Sequence, residues 1–382
     1  MIVPDTAWDP TLRALLAHMA KVEASDLYLA AGSPPVFRID GVGMPAKVVL
    51  SSDQISAMAD TLMDLPQRDE FRAKLEMNLA LQTSTGSRFR ANMFFQRGAV
   101  GMVVRLVRTE IKTLEELQLP PTLEHVMASK RGLVIVVGGT GSGKSTTLAA
   151  MIDHRNRNET GHIITVEDPV EFIHAHRRCI VSQREVGIDT LSYASALKNA
   201  LRQAPDVILI GEVRDAETME AALTFAETGH LCVTTLHANN ANQAIERVLN
   251  FFPTDRHHEI KLQLSMNLRA VISQRLVVAQ PGGRAAALEI LLDTPRIKDL
   301  IKRGEVDALK DAMEQGHGEG CQTFDGALFQ LVADRRVTDA EALRAADSPN
   351  NLRLRIDRHW RSGGHLSPKE PALRLVGQPA AH

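Results

Sequence analysis

Residues 138–145 read Gly-Gly-Thr-Gly-Ser-Gly-Lys-Ser, a complete match to G-x-x-x-x-G-K-[ST]. The five residues before it, 133–137, are all apolar, and 143–154 carry a helical pattern. Glycines let such a turn close with its N–H groups pointing into one cradle, and the helix N-terminus adds positive dipole charge. That cradle suits phosphate. Gly138, Thr140, Gly141, Ser142, Gly143 and Thr146 are the expected nucleotide-binding positions. Lys144 is placed to reach the β- and γ-phosphates, and the Ser145 hydroxyl to ligate Mg²⁺. ATP and Mg²⁺ are the expected ligands.

The text around this motif alternates between strand and helix. Strands are expected at 133–137, 162–167, 207–211, 231–236 and 286–292, and helices at 143–154, 190–203, 215–228, 241–250 and 256–276. This predicts an α/β core with a mainly parallel sheet over 124–293. The run Val207-Ile208-Leu209-Ile210 suits a strand covered on both faces. Ahead of it, 1–108 reads as an α+β domain: helices at 9–23 and 52–64, with strands at 26–30, 35–40, 76–83, 88–95 and 99–107. In 88–95, Phe89, Ala91, Met93 and Phe95 alternate onto one face. Pro120-Pro121 and mixed charge mark 109–123 as a linker. Helices are expected through 294–346, at 295–303, 305–315, 323–335 and 338–346, and 347–382 reads as a flexible tail.

Composition excludes several classes. The formal net charge is −2 and aromatics are 4%, so no basic stripe with interleaved aromatics marks a nucleic-acid motor. Three cysteines without a C-x-x-C pair exclude a disulfide framework and a four-cysteine zinc site, and fit a reducing cytoplasm. No apolar run approaches the ~20 residues of a membrane span, and Asp5 and Asp9 stand where a signal peptide carries basic residues.

Hydrolysis needs a group that activates water. Glu212, closing the apolar strand of "DVILIGE", is the expected one, although Gly211 stands where a metal-holding aspartate is usual. Glu167 and Asp168 close a second apolar strand and suit the surroundings of Mg²⁺ or water. His230 and His237 flank "LCVTTL", ~23 Å apart on extended chain, with His237 better placed to sense the γ-phosphate. Arg88, Arg90, Arg97 and Arg105 lie on or beside strands of the first domain; arginine suits transition-state phosphate charge.

Taken in order, "ASDLYLAAGSPPVFRIDG", "GGTGSGKSTTLAAMID", "ITVEDPVEF", "QREVGIDTLSYASALKNALRQAPDVILIGEVRDAETM" and "TGHLCVTTLHANNA" resemble the secretion-ATPase superfamily. Within it they are similar to the PilT/PilU retraction ATPases of type IV pili, over roughly 25–343. The resemblance implies a RecA-like P-loop core, a PAS-like N-terminal domain and a homohexameric ring. ATP would bind near the interdomain cleft, completed by Arg90, Arg97 and Arg105, with catalytic roles for Glu212, Glu167, Lys144, His237 and His230. Glycine before the catalytic Glu is usual in this family. Hydrolysis would drive domain motion against an inner-membrane platform protein, from the cytoplasmic side and without a transmembrane segment or nucleic acid. Extension ATPases usually carry a four-cysteine module, which three cysteines cannot build. The long tail, and "RIKDLIKR" at 296–303 where PilT carries AIRNLIRE, side with the PilU branch and imply a PilT-type partner. A nucleotide-binding structural partner with little turnover, and a RecA-like nucleic-acid motor, are the alternative readings.

Overall fold

The computed structural model describes residues 3–39, 41–107 and 110–362. The chain divides into two units: Met1–Ile111 with Val170–His174, and Lys112–Pro169 with Ala175–His382.

In the first unit, α1 (Pro10–Lys21) starts where Asp9 accepts from the amides of Thr11 and Leu12. The strands are β1 (Asp26–Leu29), β2 (Val36–Ile39), β3 (Val42–Pro45), β4 (Glu76–Gln82), β5 (Arg88–Gln96) and β6 (Ala99–Val107), in the order β3-β2-β1-β6-β5-β4. All neighbours are antiparallel. α2 (Ser52–Leu62) opens on a reciprocal capping box between Ser51 and Gln54. Trp8, Leu12, Leu16 and Met19 join Ile55, Met58 and Leu62 over the inner strand residues Leu27, Phe89, Met93 and Val104. Two elements escape the sequence pattern. α3 (Leu65–Lys74) buries only Phe71 and rests on a capping box of Asp64 and Gln67, so it lacks an apolar stripe. β3 is exposed along its whole length. Phe95, expected on the face of Phe89, Ala91 and Met93, is exposed where those three are buried, and stacks on Phe71 at 5.0 Å.

The second unit begins inside the expected linker. Leu114, Leu119 and Leu123 are buried in its core, and Leu119 N–H closes a turn on the Leu114 carbonyl at 2.9 Å. From Lys112 on, the segment is therefore packed structure rather than a spacer.

Then come α4 (Thr122–Met127), β7 (Gly132–Val137), α5 (Lys144–Asn158), β8 (Gly161–Glu167), β9 (Cys179–Glu185), α6 (Tyr193–Ala200), β10 (Val207–Ile210), α7 (Ala216–Glu227), β11 (Leu231–Leu236), α8 (Ala241–Asn250), α9 (His257–Asn267), β12 (Leu268–Val278) and β13 (Arg284–Leu292). The sheet order is β13-β12-β7-β11-β10-β8-β9. It is parallel from β12 to β9, with β13 antiparallel at the edge. An α/β P-loop core is thus in place.

The helix expected over 256–276 is corrected: it stops at Asn267, and Leu268–Val278 is a strand between β7 and β13. This strand is buried on both faces, so its apolar residues fit either period; ladder pairing decides.

Beyond the sheet lie α10 (Pro295–Arg303), α11 (Leu309–Gln315), α12 (Phe324–Ala333), α13 (Asp339–Ala345) and α14 (Pro349–Arg361). The expected flexible tail is corrected at α14, which buries Leu352, Ile356 and His359. The two apolar residues pack with Phe324, Leu328 and Leu331, so the helix is held by burial of one face. The remainder of that tail, 363–382, lies outside the described residues. Among the described residues no helix is long and apolar enough to cross a membrane.

Candidate functional site

Neighbouring parallel strands bring four chain segments to one edge of the second sheet. β7 runs into the glycine loop, β11 ends before His237, β10 ends before Gly211 and Glu212, and β8 ends at Glu167. The carboxyl ends of parallel strands are where α/β sheets bind ligands.

The glycine loop has the shape its sequence requires. Gly143 has φ +86°, and a Cβ there would lie 2.8 Å from Gln274 Nε2. At Gly138 a Cβ would lie 2.5 Å from Ser142 Oγ and 2.6 Å from the Gln274 carbonyl. Thr140 and Gly141 are on the exposed turn, and Ser145 and Thr146 lie in the first turn of α5. Lys144 Nζ donates to the carbonyls of Gly138 at 2.6 Å and Gly139 at 3.0 Å.

The loop fits a nucleotide phosphate chain. Ser142 Oγ is buried without a hydrogen-bond partner, and no side chain caps the N-terminus of α5. A Cβ at Gly139 or Gly141 would meet nothing within 4 Å, so ligand can approach the backbone. Ser145 supplies one hydroxyl for Mg²⁺, which ordinarily keeps waters and takes its other ligands from phosphate. Among the described residues no group of three or more His, Cys, Asp or Glu could hold a metal by itself.

Glu212 is the centre of the charged edge. Its Oε1 lies 2.8 Å from His237 Nε2, and its Oε2 accepts from Arg214 at 2.8 Å and 2.7 Å. Arg214 also approaches Asp168 at 4.0 Å, and its pKa is raised chiefly by the hydrogen bond to Glu212. Glu167 accepts from Thr165 Oγ1 at 2.7 Å and Gln183 Nε2 at 3.3 Å.

Gly211 has a steric reason to be glycine. A Cβ there would sit 3.1 Å from both Glu167 Cα and the Tyr193 hydroxyl. Thr235 Oγ1 donates to the Gly211 carbonyl at 2.6 Å, and Gly211 N–H to the Val166 carbonyl at 2.8 Å. Burial, with Asp168 nearby, pushes the Tyr193 hydroxyl up to about 12, so it stays protonated.

His230 stands at the other end of β11 from His237. It precedes β11, and Gly132 N–H at the start of β7 donates to its carbonyl at 3.0 Å. Six strand residues at ~3.3 Å each separate it from the edge that carries His237. Its Nδ1 sits 3.1 Å from Thr228 Oγ1.

The arginines belong to the first unit. Arg90 and Arg105 are cross-strand partners, and Arg105 Nε donates to the buried carboxylate of Asp26 at 2.9 Å. Arg97, φ +51°, forms the β5–β6 turn with Gly98, and Arg88 opens β5 in the open.

Two participants escaped the sequence reading. Arg214, two positions after Glu212, lies inside the family-like stretch 183–219, but no role is read for it there. Gln274 lies in the segment expected to be helical. Its Oε1 accepts from Thr147 Oγ1 at 2.7 Å, both residues being buried, which ties α5 to β12.

Comparison with known proteins agrees with this geometry. The family described as "Type II/IV secretion system protein" matches residues 9–329. The chain is similar to the type IV pilus ATPase PilU of Pseudomonas aeruginosa, 52% identical over 94% of this chain and 95% of that protein. It is 43% identical to the PilT retraction ATPase of the same organism, over 88% of this chain and 98% of that protein. A solved structure of the pilus retraction motor PilT with bound ADP matches with a TM-score of 0.83 at 38% identity, covering 89% of this chain and 98% of that one. A P-loop opposite a Glu–His–Arg cluster, on a chain that matches these relatives along most of its length, makes this an ATPase belonging to the type II/IV secretion family and, within it, to the PilT/PilU group.

Proposed function

We propose that the chain is a PilU-type motor subunit. It works as a homohexameric ring at the cytoplasmic face of the inner membrane and drives or assists type IV pilus retraction beside a PilT-type ATPase. The inner-membrane platform protein is the element it moves. The observation that carries this reading is Glu212 held between His237 and Arg214 one strand away from the β11 end that borders the P-loop strand. Extended similarity to PilU and PilT supports the assignment of that chemistry to a pilus motor.

In the proposed cycle the amides of 138–143 and Lys144 bind the phosphates, and Ser145 and Thr146 lie in the helical turn beneath them. Mg²⁺, when bound, neutralises phosphate charge, and Ser145 is its protein ligand. Glu212 accepts a proton from the attacking water as the new O–P bond forms and the β–γ bridge breaks. Among the described residues its Oε1 carries only the His237 contact, which leaves a lone pair to take that proton. His237, on the same carboxylate, senses the γ-phosphate, while Glu167 orders the neighbouring water. His230, on the opposite sheet edge, is left out of this step. Arg90, Arg97 and Arg105 of a PAS-like first domain would supply the positive charge that completes the site in the ring.

The test is ATPase rate per subunit against protein concentration, with Glu212→Gln alongside. A rate that rises with concentration and vanishes in the variant is expected. A concentration-independent rate would overturn shared sites in a ring.

A further inference from the structure

Glu289 is a buried carboxylate to which the proposed cycle gives no task. It sits on β13 and is 2% exposed. Burial pushes its pKa up, and the bonds it accepts pull the other way. Its Oε1 accepts from Ala241 N–H at 2.7 Å and from Ser273 Oγ at 3.0 Å. Ser273 is fully buried on β12, in register with Glu289 on one side and with Val137, the last residue of β7, on the other. The carboxylate thus joins the strand beside the P-loop to the first residue of α8.

Ala241 follows His237 by four residues, and the chain around it is pinned amide by amide. Asn240 accepts from Gln243 N–H at 2.9 Å, and Gln243 Oε1 accepts from Asn239 N–H at 3.1 Å. That leaves the buried N–H of Ala241 to Glu289. A neutral acceptor would satisfy this amide at lower desolvation cost, but only a carboxylate also puts negative charge on the positive end of α8. His237 itself is exposed, and its Nε2 meets the Glu212 carboxylate at 2.8 Å. Its approach to Glu212 therefore depends on the backbone on both sides of it, the paired end of β11 before it and the 238–241 segment after it.

We propose that Glu289 is a positioning residue for hydrolysis: by holding Ala241 it fixes the segment that presents His237 to Glu212. This rests on the reading of His237 as a hydrolytic residue.

The experiment compares Glu289→Leu, Glu289→Gln, Ser273→Ala, His237→Ala and the double variant of Glu289→Leu with His237→Ala in the full chain. It reads kcat and, separately, the dissociation constant of a fluorescent ATP analogue. Glu289→Leu is expected to lower kcat by roughly ten- to a hundredfold, the scale of an ångström misplacement, with analogue binding within about twofold. Glu289→Gln keeps the acceptor and is expected to recover most of the loss. With His237 already removed, Glu289→Leu is expected to add little. A normal kcat in Glu289→Leu beside a slow His237→Ala overturns the inference, and so does a full, additive loss in the double variant. A normal kcat in His237→Ala overturns instead the reading of His237. Where Glu289→Leu does not fold, Ser273→Ala decides. It is expected to slow kcat by about threefold at unchanged analogue binding, and a normal kcat there overturns the inference.

Discussion

Glu212 Oε1 and His237 Nε2 stand 2.8 Å apart at the ends of adjacent parallel strands, β10 and β11. Their distance follows from strand register, since Ile210 and Thr234 are paired and Glu212 and His237 follow those two residues by two and three positions. Glu212→Gln is expected to keep nucleotide binding and to lower kcat by at least ~100-fold, the contribution of a general base. Steady-state turnover and analogue titration check the two halves separately.

Gly211 is predicted to resist any side chain. In Gly211→Ala the new methyl would press on Glu167 Cα, held in a paired strand, at 3.1 Å. Overpacking of this kind costs about 1–3 kcal/mol. A lower thermal midpoint together with reduced kcat is expected, because the push falls between Glu167 and Glu212. An unchanged midpoint would mean that β8 and β10 part easily.

Gln274→Leu leaves the buried Thr147 hydroxyl without its acceptor. The expected cost is about 1–3 kcal/mol of stability. Since Thr147 lies in the first turns of the P-loop helix, weaker binding of an ATP analogue should accompany it. Thr147→Val in the same background should restore stability, and chemical denaturation measures both.

The carboxyl-terminal helices are predicted to loosen in acid through Asp347. It pairs with Arg275 of β12 at 2.7 Å and with Lys310 at 3.1 Å. Burial pushes its pKa up, but the bonds and charges of Arg275 and Lys310 outweigh this and hold it below its ordinary 3.8. A lowered folded-state value means that the ion pairs contribute fully above the ordinary aspartate range. The contribution is lost as pH falls through the lower, folded-state value. Asp347→Asn should flatten that part of the pH–stability curve, measured by thermal midpoint below pH 5.

Much of the site was legible because its signals are local. The glycine loop, the apolar run ending at Glu212 and the acidic end of β8 each carry their meaning within ten residues. So do the caps of α1 and α2, whose side chains bond amides two or three positions away. What a run of apolar residues cannot state is its partner. Residues 268–276 fit a helix as well as a strand until pairing with β7 and β13 satisfies their amides. Gln274, Ser273 and Arg275 were hidden by that ambiguity. His230 and His237 sit in one family-like stretch, yet a six-residue strand sends them to opposite ends of the sheet, as their spacing on extended chain already implies. The basic text of α14 reads as tail until an apolar cluster from β12, β13 and α12 exists for Leu352 and Ile356 to cover. The sequence by itself determined that this chain binds a nucleotide phosphate chain, because the cradle is made of its own consecutive backbone. Only the tertiary structure decided which distant side chains hold that cradle and aim Glu212. Those contacts join residues that strand pairing, not chain proximity, brings within reach.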